Sequence, residues 1–232
     1  MNKAKLRRPF FVVNPKSYLY GEAELKLAKV ADELAKKYDI DILFTAQHAD
    51  LRLVAENTTN LIITAQHVDG HSIGRGMGKI LPEAIVEAGA QATFLNHAEN
   101  PLTISQLVKA MQRCRELGML TIVCSDNDED TKAIATLKPD VMVCEQTSLI
   151  GTGKAADASY MKTTTELVKS ISPNTLVLQA AGISTPDDVY NAITAGADGT
   201  GGTSGIVCAD DPILTLTKMM ETMYKLKQEI AK

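Results

Sequence analysis

No apolar run in the sequence approaches the roughly 18 residues that a membrane-spanning helix needs, and no signal-peptide apolar segment is present. A membrane partner is therefore not expected, and a cytoplasmic location is. Cysteine is scarce and unpatterned: residues 114, 124, 144 and 208 show neither CxxC nor paired spacing. That disfavours a disulfide framework and a zinc cluster, and leaves small buried hydrophobes in a reducing compartment. Positive charge is also in deficit, with 24 Lys and Arg against 28 Asp and Glu, a net charge of −4. Nucleic acid and anionic membrane are poor partners for such a chain. Lys3, Lys5, Arg7 and Arg8 form a local basic cluster, read as a solvated lead-in to the first strand. No Pro/Gly/Ser-rich linker or low-complexity tract divides the 232 residues, so residues 1–232 are expected to form one domain. A chain of this length buries enough surface to fold without a covalent or metal staple.

What is present is a series of short apolar runs. FFVVN (10–14), DILFTAQ (41–47), LIITAQ (61–66), ATFLNH (92–97), LTIVCS (120–125), VMVCE (141–145), TLVLQA (175–180) and the weak DGTGG (198–202) make eight candidate strands. Most are continuous rather than alternating, as strands buried on both faces should be. Helical periodicity fills the gaps. Leu27, Val30, Ala31 and Leu34 share one face, and so do Ile104, Leu107, Val108, Met111, Cys114 and Leu117, with Gly118 as the expected helix stop. Thr185-Pro186-Asp187-Asp188 supplies an N-cap, a first-turn proline and two carboxylates, and a last helix is expected from Pro212 to Ile230.

Eight alternations of strand and helix predict an α/β fold, a single (β/α)8 barrel of eight parallel strands surrounded by helices. The rival is an open doubly wound sheet. No GxGxxG follows the first strand, which favours the barrel.

In such a barrel, reactive side chains stand at the C-terminal ends of the strands. The first strand ends in Asn14-Pro15-Lys16, the fourth in Asn96-His97-Ala98-Glu99 and the sixth in Glu145. An ammonium, an imidazole and a carboxylate thus converge on one mouth from distant parts of the chain. After the last two strands come Ala181-Gly182-Ile183-Ser184 and Gly201-Gly202-Thr203-Ser204, placed where barrels commonly bind phosphate through backbone N–H groups. Each feature alone has an ordinary structural reading. Their joint position at one end is what the ordinary readings do not predict. His67-x-x-x-His71 with Asp69 imitates zinc spacing, but Gly70 interrupts it after a strand, so no metal site is expected. Cys144 should face the helices while its neighbour Glu145 faces the mouth, and Met219, Met220 and Met223 should fill core.

Asn-x-Lys, Asn-His-x-Glu, Glu-(x)3-Leu-Ile-Gly-Thr-Gly, Gly-Ile-Ser and Gly-Gly-Thr-Ser occur in that order over nearly the whole chain. The sequence resembles the triosephosphate isomerase family, most closely its short archaeal-type forms. The resemblance implies a cofactor-free aldose–ketose isomerase acting on dihydroxyacetone phosphate and glyceraldehyde 3-phosphate, assembled as a homodimer or homotetramer. It implies Glu145 as the base, a neutral His97 backed by a helix N-terminus, Lys16 as fixed positive charge and Asn14 as its orienting partner. Gly151, Ser184, Gly201 and Gly202 would hold the phosphate, with the loop 146–154 closing over the substrate. The apolar tip of GHSIGRGMGK, carrying Ile73 and Met77, would dock on a neighbouring subunit.

Several positions depart from the family pattern. Gln146 replaces a proline after the glutamate, Ala98 a serine, Asn100 a basic residue, Met77 a threonine and Ala180 a glycine. These departures keep two alternatives open: the same chemistry on another short sugar phosphate such as a tetrulose phosphate, or a barrel that binds a phosphorylated ligand without turnover.

Overall fold

The computed structural model describes residues 5–145 and 156–230. Its strands are β1 (Phe10–Val13), β2 (Ile42–Ala46), β3 (Leu61–Ala65), β4 (Ala92–Leu95), β5 (Leu120–Ser125), β6 (Val141–Cys144), β7 (Leu176–Gln179) and β8 (Gly199–Gly202). Every neighbouring pair is parallel, and β8 returns to β1 to close the barrel. The register at closure sets Val12 against Gly201 and Val13 against Gly202. All eight expected strands are found.

Nine helices lie among the described residues: α1 (Gly21–Tyr38), α2 (Leu51–Asn57), α3 (Pro82–Glu87), α4 (Ile104–Leu117), α5 (Asp128–Ala135), α6 (Ala158–Ile171), α7 (Pro186–Thr194), the short α8 (Ser204–Val207) and α9 (Pro212–Ile230). Their ends follow from local chemistry. Thr103 and Gln106 form a reciprocal capping box at the start of α4, and Gly118 ends it in the left-handed region at φ 73°. Thr185 and Asp188 do the same for α7, with Pro186 in its first turn.

The strands separate two apolar layers by simple alternation. Phe10, Val12, Leu43, Phe94, Ile122 and Val143 point into the barrel. Phe11, Val13, Ile42, Phe44, Met142 and Cys144 point out, against the helices. Met219, Met220 and Met223 of α9 are wholly buried in that outer layer. Each large side chain buried this way stabilises the fold by roughly 1.5–3 kcal/mol.

Glycine makes β8 a weak strand by composition, and the barrel explains why. A Cβ on Gly199 would lie 2.4 Å from the Phe10 ring, and one on Gly201 would lie 2.1 Å from the Val12 carbonyl oxygen. The closing strand must approach β1 too tightly for a side chain.

Two expectations need correction. The buried stripe of α4 is Leu107, Ala110, Met111 and Cys114, whereas Ile104 and Val108 are exposed. Position 104 opens the helix and 108 lies beside the stripe, so apolar character alone misassigned them. The basic lead-in is also not simply solvated. Arg7 bonds Asp39 and Asp41 at 2.7 and 2.6 Å, and Arg8 bonds Asp198 at 3.0 Å, strapping the segment across the strand starts.

Candidate active site

At the opposite end of the barrel, one cavity is lined by Asn14, Lys16, Tyr18, His97, Glu145, Ala180, Gly182, Gly202, Thr203, Ser204 and Gly205, over a floor of Val12, Phe94, Val143 and Leu178. The floor is the top of the inner apolar layer. It is apolar and buried, and that desolvates the ionisable groups above it.

Lys16 follows β1 with φ 48°, a left-handed conformation that costs a non-glycine residue about 1–2 kcal/mol. Its neighbours hold it there. Asn14 Oδ1 accepts the Lys16 N–H at 3.0 Å. The side-chain amides of Gln47 and Gln66 both donate to the Lys16 carbonyl, at 3.0 and 2.8 Å. The side chain is only 18% exposed, and its ammonium pairs with Glu99 Oε1 at 2.7 Å.

His97 stands above β4 with Nδ1 accepting the Glu99 N–H at 3.1 Å. An accepting Nδ1 carries no proton, so the neutral ring presents Nε2–H. Burial lowers the His97 pKa, and the Lys16 charge lowers it further. At neutral pH the imidazole is therefore uncharged. Its support is a single turn at 98–100, with the Asn100 N–H bonded back to the His97 carbonyl at 2.8 Å, rather than the helix N-terminus expected; α4 begins only at Ile104. Asn96 braces the turn from below, donating to the Cys124 carbonyl at 3.0 Å and accepting the Leu102 N–H at 2.9 Å.

Glu145 follows β6 directly, and its Oε2 lies 4.0 Å from His97 Nε2. Burial pushes the carboxyl up to about 7, against the lowering charge of Lys16. A carboxyl poised there can take a proton and return it near neutral pH. Burial likewise favours the neutral form of Glu99, but the bonded Lys16 ammonium more than offsets this and holds its carboxyl below the usual value. A base, a neutral N–H donor and a fixed cation around one cavity suit proton abstraction next to a carbonyl, with the resulting oxyanion stabilised in place.

Asn14, Lys16, His97, Glu145 and Gly202 thus meet at one cavity. Ser184 and Gly201 do not line it. The Ser184 N–H and hydroxyl both turn to Asp188 Oδ2, at 3.0 and 3.2 Å, as part of the α7 start. Gly201 instead backs onto Val12. Thr203, Ser204 and Gly205, where β8 runs into α8, occupy the wall in their place. Gly151, Gln146 and the rest of loop 146–154 lie outside the described residues. The sequence reading missed Gln47 and Gln66, although both follow apolar runs at the C-terminal ends of strands, where polar residues signal a mouth. His67 Nε2 sits 3.8 Å from Asp69 Oδ1, and among the described residues no group of three metal-ligating side chains converges.

Comparison with known proteins gives one answer. The family model for triosephosphate isomerase matches residues 9–221. The triosephosphate isomerase of Methanothermus fervidus is 36% identical over 221 residues, covering 93% of this chain and 99% of that protein. That of Methanobacterium bryantii is 38% identical over 217 residues, covering 91% and 95%. That of Sulfolobus acidocaldarius is 32% identical over 228 residues, covering 97% and 99%.

Proposed function

The chain belongs to the triosephosphate isomerase family, and from that premise we propose how its mouth carries out the reaction. The protein is an aldose–ketose isomerase that interconverts dihydroxyacetone phosphate and glyceraldehyde 3-phosphate. Ionised Glu145 removes a proton from the carbon beside the substrate carbonyl, and the electron pair moves to the carbonyl oxygen. His97 Nε2–H and the Lys16 ammonium stabilise the oxygen as its charge develops. Once the proton on oxygen has moved across the enediolate, Glu145 returns its own proton to the adjacent carbon. Each contribution is finite: a general base gives typically ~10²–10⁴-fold, and a preorganised donor about 3–4 kcal/mol. The phosphate rests on backbone N–H groups of the loop at Gly182 and of the turn from Gly202 to Gly205, where β7 and β8 end.

The observation that carries this reading is the 4.0 Å separation of Glu145 and His97, with the His97 tautomer set by the Glu99 N–H. A coupled assay with both triose phosphates, followed by a panel of four- to six-carbon sugar phosphates, tests it. Turnover restricted to a longer sugar phosphate would overturn the substrate assignment.

A homodimer or homotetramer belongs to the same proposal. Ile73 and Met77 are 77% and 104% exposed on the loop between β3 and α3, an apolar tip suited to a second copy. A monomeric mass by light scattering, with full activity, would contradict it. No described helix is long and apolar enough to cross a membrane. The unpatterned cysteines, buried at 114, 124 and 144 but exposed at 208 against expectation, and the net negative charge support work in the cytoplasm on a small phosphorylated sugar rather than on nucleic acid.

A further inference from the structure

One buried carboxyl takes no part in the chemistry above. Glu24, in the first turn of α1, is fully buried, and its Oε2 has no hydrogen-bond partner. That is a costly state for an ionised carboxylate. Its Oε1 accepts the Gln47 N–H at 3.2 Å. Asp50, from the turn between β2 and α2, lies within side-chain hydrogen-bonding reach and is itself anchored by the Gly21 N–H at 2.8 Å. Two ionised carboxylates offer acceptors only; one proton turns their repulsion into a bond and satisfies the orphan oxygen. Burial, with Asp50 beside it, pushes Glu24 up to about 8. Among the described residues, Asp50 is the charged group that acts on it.

Gln47 then links this pair to the mouth. While its main chain is fixed by Glu24, its Nε2 reaches the Lys16 carbonyl at 3.0 Å and Ser17 Oγ at 3.0 Å. We propose that Glu24 is a positioning residue for Lys16: as a neutral acid it donates to Asp50, accepts the Gln47 N–H, and so fixes the Gln47 amide against the left-handed Lys16 backbone. Glu24 touches no reacting atom and acts only through Gln47. The proposal rests on Lys16 serving the reaction as described above.

The test measures kcat and KM separately from about pH 6 to about pH 10. The proteins are wild type, Glu24→Gln, Glu24→Ala, Gln47→Ala and the double Glu24→Ala/Gln47→Ala, each checked for folding by circular dichroism. Glu24→Ala and Gln47→Ala are each expected to lower kcat/KM by about tenfold, and the double to fall no further than the worse single, because both act on one contact. Wild-type activity should decline as pH rises through about 8, as Glu24 ionises beside Asp50. Glu24→Gln, which donates and accepts without ionising, should lose that decline. Independent, multiplying losses in the double, or an unchanged alkaline decline in Glu24→Gln, would overturn the proposal. If Glu24→Ala fails to fold, Glu24→Gln and Gln47→Ala still decide it. Normal activity in Glu24→Ala alongside a crippled Lys16→Met overturns this positioning role alone, whereas a normal Lys16→Met overturns the reading of Lys16 and this proposal with it.

Discussion

The two ends of the barrel hold charge in opposite ways. At the strand starts, Asp198 takes Arg8 at 3.0 Å and Lys169 at 2.6 Å, and also accepts the Val177 N–H at 2.8 Å. Asp39 takes Arg7 at 2.7 Å and Lys227 at 2.8 Å, and these bonds lower its pKa to about 2. Charges there are matched by opposite charges in direct contact. At the strand ends, burial raises Glu145 to about 7, where a carboxyl takes and gives up a proton near neutral pH, and lowers His97, which keeps its ring uncharged. One end ties the barrel together through ion pairs, and the other holds a raised carboxyl beside a neutral imidazole, the pattern expected of a site that moves protons. Substitutions at the two ends should therefore separate stability from turnover.

The largest effect is expected at the mouth. Glu145→Gln should lower kcat by about 10³-fold or more, within the range for loss of a general base, while a phosphate ligand binds within about tenfold of wild type. Its melting temperature should not fall, since the amide removes a buried ionisable group. Steady-state kinetics, ligand titration and calorimetry check the three parts.

Lys16→Met should come next, losing about 3–4 kcal/mol of transition-state stabilisation, or roughly 10²–10³-fold in kcat/KM. Unlike Glu145→Gln it should also weaken phosphate-ligand binding, because the ammonium faces an anion in the ground state. Unchanged affinity and turnover would make Lys16 a structural residue.

At the other end the balance reverses. Asp198→Ala leaves the Val177 N–H without its side-chain acceptor and two cations without their shared carboxylate. A loss of about 3 kcal/mol is expected, lowering the melting temperature by roughly 6–12 °C, with kcat within about twofold of wild type. A large drop in kcat with no change in stability would break the comparison.

The last expected effect is a drift of stability with pH. Glu24 and Glu145 are both raised in the fold, to about 8 and about 7 from an ordinary value of 4.5. Groups raised in this way contribute stability that is fully present below the ordinary value, because the unfolded chain gives up their protons first. The contribution falls as pH rises toward 7 and 8. Denaturant titrations from about pH 5 to about pH 8.5 should show this decline, shallower in Glu145→Gln and in Glu24→Gln.

How much of this was legible in the sequence depends on whether a residue's surroundings are local. Seven strands announced themselves as continuous apolar runs. The eighth, DGTGG, was weak because its glycines answer to β1, nearly the whole chain away. That Lys16, His97 and Glu145 meet at one cavity was legible because each follows the C-terminal end of its own strand. Ser184 and Gly201 belong to the right loops, but the cavity wall is built by Thr203, Ser204 and Gly205, since Asp188 and Val12 claim the other two. The supports were hidden. Gln47 and Gln66 meet one carbonyl from 31 and 50 residues along the chain, and only barrel closure makes them neighbours. Exposed Ile104 and Val108 show the reverse case, where a plausible apolar face was read without knowing what packs beside it.

Isomerisation run in deuterium oxide tests the central claim most directly. If Glu145 carries the proton, its captured proton can exchange with solvent before it returns, so product and recovered substrate should gain deuterium at the carbon beside the carbonyl. Glu145→Gln should abolish conversion and carbon-bound deuterium together. Rapid conversion with no deuterium gained would point to direct hydride transfer between the carbons and contradict the account. Undiminished exchange in Glu145→Gln would place the base elsewhere.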